Sequence, residues 1–257
     1  MRCSTMVVAG LALVAGALWG GDDPFCGKWK LNMDKSEATG LRADIKDLGN
    51  NKYEFKFGDD VQTIVADGKQ HSSKWGGTWA LKQDSADKWT ETHEHEGKVS
   101  STSTWILSDG GNELTIDTKG NRADGSSYTE SASFKRAGSG SGIAGTWEST
   151  KMQWAATDWE IKPWGNDGLS FVTPAENEHL DLKFDGTDYP DHGPRVAPGS
   201  TTAGKRVDSN TIETTDKLKG KVMGKSEMKV SEGGKLLTVT YHPAGVDKPM
   251  IFVYDQQ

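Results

Sequence analysis

The chain has 257 residues, enough for one large domain or two of ordinary size. Its formal net charge is −7, and its 30 Lys and Arg form no cluster able to neutralise a run of phosphates, which argues against a nucleic-acid partner. A polar chain with 10 Trp, 7 Phe, 5 Tyr and 31 Gly against 8 Pro suits many short strands, packed on aromatic side chains and joined by glycine turns.

Residues 1–20 have the form of a signal peptide: Arg2 gives a positive start, 6–18 is an apolar run, and Ala15-Gly16-Ala17 offers a cleavage site. The run is too short for a membrane span. The expectation is an exported chain, secreted or periplasmic, with no integral membrane span once the signal is removed. Cys3 falls in that segment, so the mature chain would hold one thiol, Cys26, and no internal disulfide. Burial beside Phe25 is favoured for it over pairing between chains.

Strand-like runs then follow one another. In the first half they fall at 28–31, 53–57, 61–65, 78–83, 89–95, 99–107, 114–118 and 128–135; in the second at 146–149, 159–162, 169–172, 180–184, 203–207, 212–215, 222–230, 236–241 and 250–254. Tyr53, Phe55 and Phe57 alternate and share one face. Turns such as Asp67-Gly68 and Asp109-Gly110-Gly111 carry the glycines that hairpins need. The stretch 34–47 is the one place where a short helix or lid is expected. About eight short antiparallel strands per half imply a sandwich or an up-and-down barrel.

The two halves are copies. Gly27-Lys28-Trp29 matches Gly145-Thr146-Trp147 at an offset of 118, and Asp67-Gly68 matches Asp185-Gly186 at the same offset. Gly97-Lys98-Val99 matches Gly220-Lys221-Val222, and 108–116 matches 231–239, both at 123. The order is kept, and a net insertion of five is expected in the loop 190–199. Gly138 to Gly142 alternates Gly and Ser as a flexible linker does. The expected organisation is therefore a signal at 1–20, one barrel at 25–138, a linker at 139–142 and a second barrel at 143–257.

The two Gly-x-Trp motifs, Gly27-Lys28-Trp29 and Gly145-Thr146-Trp147, resemble the signature of the lipocalins and related small ligand-binding barrels. The segment 25–36, with Gly-x-Trp-x-Leu-Asn, and the run 184–190 are similar to those of exported bacterial lipocalin-like proteins of unassigned function. The resemblance implies an all-β chain of two tandem antiparallel up-and-down barrels from an internal duplication. It also implies that each Trp closes one barrel end under a basic side chain from the last strand. Arg136 fits that part in the first copy, whereas the second copy ends at 252–257 with no equivalent Arg.

Two features carry candidate chemistry. On a strand Trp89, Glu91, His93 and His95 project together, so Glu91, His93 and His95 form a candidate metal face, with His71 as a further ligand and zinc as the fitting ion; a wet polar strand face explains the same pattern. Tyr53, Phe55, Trp79, Trp89 and Trp105 in the first copy, and Trp154, Trp159, Trp164, Phe171 and Tyr189 in the second, are candidates to line a cavity, or equally to fill a core. Of these Tyr53, Phe55, Trp79, Trp89, Trp105, Trp159, Phe171 and Tyr189 are the expected ligand-binding set. No nucleophile motif and no phosphate loop is found. The leading expectation is an exported, non-catalytic protein that holds a small apolar molecule in one or both barrels and needs no cofactor. The alternatives are a self-associating structural or interaction protein of the cell envelope or extracellular matrix with filled barrels, and an exported metal-dependent enzyme.

Overall fold

The structure, a computed structural model, describes residues 23–257; the expected signal peptide and Cys3 lie outside the described residues. In chain order the strands of the first half are β1 (Gly27–Leu31), β2 (Arg42–Gly49), β3 (Lys52–Phe57), β4 (Asp60–Val65), β5 (His71–Ser72), β6 (Thr78–Ser85), β7 (Lys88–His95), β8 (Lys98–Ser108), β9 (Glu113–Asn121) and β10 (Ser127–Arg136). Those of the second half are β11 (Gly145–Gln153), β12 (Asp158–Trp164), β13 (Gly168–Thr173), β14 (Glu178–Lys183), β15 (Asp185–His192), β16 (Ser200–Asp208), β17 (Thr211–Leu218), β18 (Lys221–Val230), β19 (Leu236–Pro243) and β20 (Met250–Gln256). They pair antiparallel in two ten-stranded sheets, a closed barrel and a nearly closed one. The fold is all-β, as the sequence implies, but with ten strands per sheet rather than eight.

Period-two patterning builds these strands. In β8, Ser103, Trp105 and Leu107 are buried while Ile106 between them is 40% exposed. The two-residue turn Asn50-Asn51, with φ of 53° and 57°, sets the β2–β3 hairpin. Glu96-Gly97 and Lys219-Gly220 turn β7 into β8 and β17 into β18 with the same positive φ, so the duplication extends to turn conformation. The expected helix at 34–47 is instead a single 3-10 turn, Met33–Lys35, followed by β2. Only Ile45 of β2 is buried, so its side-chain pattern is weak. Its conformation is imposed by main-chain pairing with β3 on one side and β11 on the other.

The sheets do not follow the halves of the chain. β1 lies between β12 and β20 in the closed barrel, with Trp29 opposite Trp159 and Gln256. β11 lies between β10 and β2 in the other, with Trp147 opposite Arg136 and Ala43. The first barrel is therefore β2 to β11 and the second is β1 with β12 to β20. The expected units, 25–138 and 143–257, have exchanged their first strands. Across the segment 137–144 β11 folds back to pair directly with β10 and so joins the first barrel. Ser149 ties the chain crossing from β1 to β2: its Oγ donates to Ala38 O (3.1 Å) and accepts from Leu41 N (3.0 Å).

The two barrels differ in closure. In the first, β5 is only two residues long, and β4 and β5 are the free ends of the sheet. In the second, the corresponding β15 has eight residues and pairs with both β14 and β16, closing the ring. Hydrogen bonds join the barrels: Asp59 N and Lys221 Nζ donate to Ala244 O (2.8 Å) and Asp59 O (2.7 Å), and Arg195 Nη1 donates to Asn121 O (2.7 Å).

Candidate functional site

The paired strands place the two copies position for position. β7 and β17 run over residues related by an offset of 123, so the inward pair Trp79 and His93 of the first barrel corresponds to Thr202 and Asp216 of the second. Trp89 corresponds to Ile212, and Trp105 to Met228, by the same offset. Three buried indoles of the first barrel are thus replaced by a threonine, an isoleucine and a methionine. Smaller side chains on an unchanged sheet leave space, since the ladder fixes strand spacing.

The consequence is visible in the interiors. The first barrel packs Trp79, Trp89, Trp105 and Trp147 into one cluster and leaves a cavity of about 230 Å³ beside Phe55, Phe134 and Trp105. Phe55 meets Trp79 and Trp105 edge to face, with centroids 6.2 and 5.7 Å apart. The second barrel holds a cavity of about 530 Å³, walled by Trp159, Phe171, Leu180, Leu182, Met228 and Val239. Trp159 stacks on Tyr254 at 4.7 Å and meets Phe171 edge to face at 6.5 Å, which fixes the aromatic wall. Trp75, from the β5–β6 loop of the first barrel, also lines this cavity, so both sheets contribute to it.

Beside the apolar wall lies a polar group, with Asp191 opposite Leu180 across the β14–β15 pair. Thr202 Oγ1 is 3.1 Å from Asp191 Oδ1 and 3.4 Å from Asp216 Oδ1, so one hydroxyl proton serves two carboxylates. Burial and, second, the charge of Asp191 push Asp216 up to about 6, against a smaller opposing effect of the Thr202 hydrogen bond. Tyr241 is pushed up to about 12 by burial and by Asp216, so its phenol stays protonated. Burial and Glu176 raise Glu178 as well, and stacked His179 and His192, 4.9 Å apart, line the same space.

The residues expected from sequence divide as follows. Trp159 and Phe171 line the large cavity, and Phe55 and Trp105 the small one. Tyr53, Trp79 and Trp89 are packing residues of the first core. Tyr189 is elsewhere: its hydroxyl donates to Asp185 Oδ2 (2.9 Å) and its ring meets Trp164. Trp154 packs against Phe252 at 5.2 Å.

The expected metal face at Glu91, His93 and His95 does not assemble. Glu91, 9% exposed, accepts from Trp105 Nε1 (3.1 Å) through Oε2 and lies 2.9 Å from His93 Nε2 through Oε1. Both carboxylate oxygens thus have partners on its own sheet, and His93 stacks on Trp79. His71 is held by Asp67 Oδ1 at 2.9 Å. Among the described residues no group of three His, Cys, Asp or Glu side chains is placed to hold a metal. Cys26 is half-buried and free, and burial together with Asp23 pushes its thiol up, which disfavours the thiolate.

The two Gly-x-Trp motifs make equivalent contacts in the two cores. Trp29 Nε1 donates to Phe25 O and Trp147 Nε1 to Ile143 O, both at 2.8 Å. Arg136 lies 4.2 Å over the ring of Trp147 and donates to the carbonyls of Gly111, Ala144 and Gly142. The basic cover expected from β10 is present, but over the tryptophan of the other copy, because the first strands are exchanged.

Sequence reasoning missed Asp191, Thr202 and Asp216. The signal that finds Thr202 is the repeat itself, compared residue by residue for loss of side-chain volume; Asp191 falls in the expected insertion at 190–199 and has no counterpart to compare. Compared with known protein families, with curated proteins and with solved structures, the chain matches none.

Proposed function

We propose that this is a non-catalytic binding protein, lipocalin-like in its end-sealing tryptophans, whose second barrel holds a small, largely apolar molecule. The observation that supports it is the closed second barrel's cavity of about 530 Å³, lined by Thr202 and Met228 where the first barrel has Trp79 and Trp105. That volume suits a small organic ligand, and apolar walls with a few polar groups are what such sites use to desolvate and orient it. The first barrel, filled by its tryptophans, serves as the partner that completes the fold and lends Trp75 to the cavity. Export of the chain, outside the cytoplasm, belongs to the same proposal and rests on the character of residues 1–20.

The test is binding of an environment-sensitive hydrophobic dye to the purified protein and to two variants, Thr202→Trp and Met228→Trp, which restore the bulk found in the first barrel. Loss of dye binding in folded variants is the expected result. Undiminished binding in both would place the dye elsewhere and overturn the assignment of the cavity.

A further inference from the structure

We infer that the ligand of the second barrel is a small organic amine, its ammonium held between Asp191 and Asp216 and its apolar body laid against Trp159, Phe171 and Met228. This rests on the second barrel being the binding cavity and adds the chemistry of the bound group.

Counting donors leads to that class. Asp191 and Asp216 line the cavity and together need several hydrogen-bond donors. Thr202 offers one proton, shared at 3.1 and 3.4 Å. Among the described residues no lysine or arginine forms an ion pair with either carboxylate; Lys217 is engaged with Asp188 (2.7 Å). A protonated amine brings up to three N–H donors and a positive charge to one point, which satisfies both carboxylates at once.

The rest of the cavity agrees in sign. Three carboxylates line it, from Glu178, Asp191 and Asp216, against one guanidinium, Arg195. Arg195 is turned to other partners, donating to Asn121 O and lying 3.5 Å from Glu176. A negative interior with low-dielectric walls attracts cations and repels anionic ligands such as carboxylic acids. The aromatic wall of Trp159 and Phe171 adds a face on which a ring or an alkylammonium can rest.

Ionisation of Asp216 makes the attraction depend on pH. The groups around it are Asp191 on β15, Thr202 on β16 and Tyr241 on β19, with Glu178, His179, His192 and Arg195 further out along the cavity. Raising the pH through 6 charges Asp216 and strengthens amine binding.

The experiment is calorimetric titration of the full chain with three probes of like body, tryptamine, tryptophol and indole-3-propionate, at pH 8 and pH 5. The expected result is tryptamine at least tenfold tighter than tryptophol at pH 8, indole-3-propionate weakest, and the amine preference reduced at pH 5. Asp216→Asn and Asp191→Asn, each checked for native circular dichroism, should reduce the tryptamine preference at pH 8. Equal binding of tryptamine and tryptophol, or a preference for indole-3-propionate, would overturn the amine inference and leave the apolar cavity standing. No binding of any probe, together with loss of dye binding, would overturn both.

Discussion

A single buried carboxylate gives the second barrel a measurable signature. Asp216 titrates near 6 in the folded chain, above its ordinary value, so the folded state holds the proton more tightly than the unfolded one. Stability from this group is intact below the unfolded value of 3.8 and is lost as pH rises to about 6. Asp216→Asn removes the titration while its side-chain carbonyl can still accept from Thr202. Chemical denaturation should find the variant more stable than the parent by about 1–3 kcal/mol at pH 8 and indistinguishable at pH 3. A parent whose stability is flat between pH 4 and 7 would contradict it. The first barrel offers a contrasting pair. Trp89 Nε1 is buried without a hydrogen-bond partner, whereas Trp105 Nε1 satisfies Glu91. Both indoles bury similar apolar surface, so phenylalanine at either site loses comparable packing. Trp105→Phe also strands a buried carboxylate oxygen and should cost about 1–3 kcal/mol more than Trp89→Phe in urea melts.

Among elements, the hairpin of β3 and β4 shows how the barrels hold one another. Its turn residue Gly58 has φ of 56°, and a Cβ there would run into the carbonyl of Ala244, while Asp59 N donates to that same carbonyl. Gly58→Val adds both a strained backbone and a clash at the inter-barrel contact. Thermal unfolding should show a lowered midpoint or a split into two transitions, and an unchanged single transition would show that this contact is dispensable. How far such elements were legible depends on what sets them. Strands with a clear alternation, such as β3 and β8, and turns rich in glycine could be read directly. β2 could not, because its one buried residue, Ile45, leaves no pattern and its neighbours in the sheet decide its conformation. The aromatic positions were visible, but whether an indole lines a space or fills it depends on what opposes it across the ladder. Thr202, a small residue whose meaning lies in the Trp79 it replaces, carries no local signal at all.

At the scale of the molecule, the exchange of β1 and β11 makes each barrel depend on both halves of the chain. The Gly-x-Trp strand of each barrel comes from the opposite copy, with Trp29 buried in the second core and Trp147 in the first. Cutting the chain between the copies, within 139–142, therefore separates halves that can each regain a full set of strands only by folding β1 or β11 back onto its own copy. That return requires reversing the crossings at 32–41 and 154–157. In the intact chain the first of these crossings is fixed by bonds to strands of both barrels: Glu37 pairs with Ile251 of β20, and Gly40 N donates to Ser149 O of β11 at 2.7 Å. Two separate halves retain these contacts if they associate, each donating its first strand to the other. Expressed apart, residues 23–140 and 141–257 should be poorly folded or should form homodimers through the same exchange. Expressed together, they should yield a one-to-one complex that keeps the dye site of the second barrel. Size-exclusion chromatography with light scattering distinguishes these outcomes. Two stable monomers, each with native circular dichroism, would mean that the strands return readily to their own copies. The exchange would then be one of two accessible pairings, and the mutual support of the barrels would rest on their surface contacts alone.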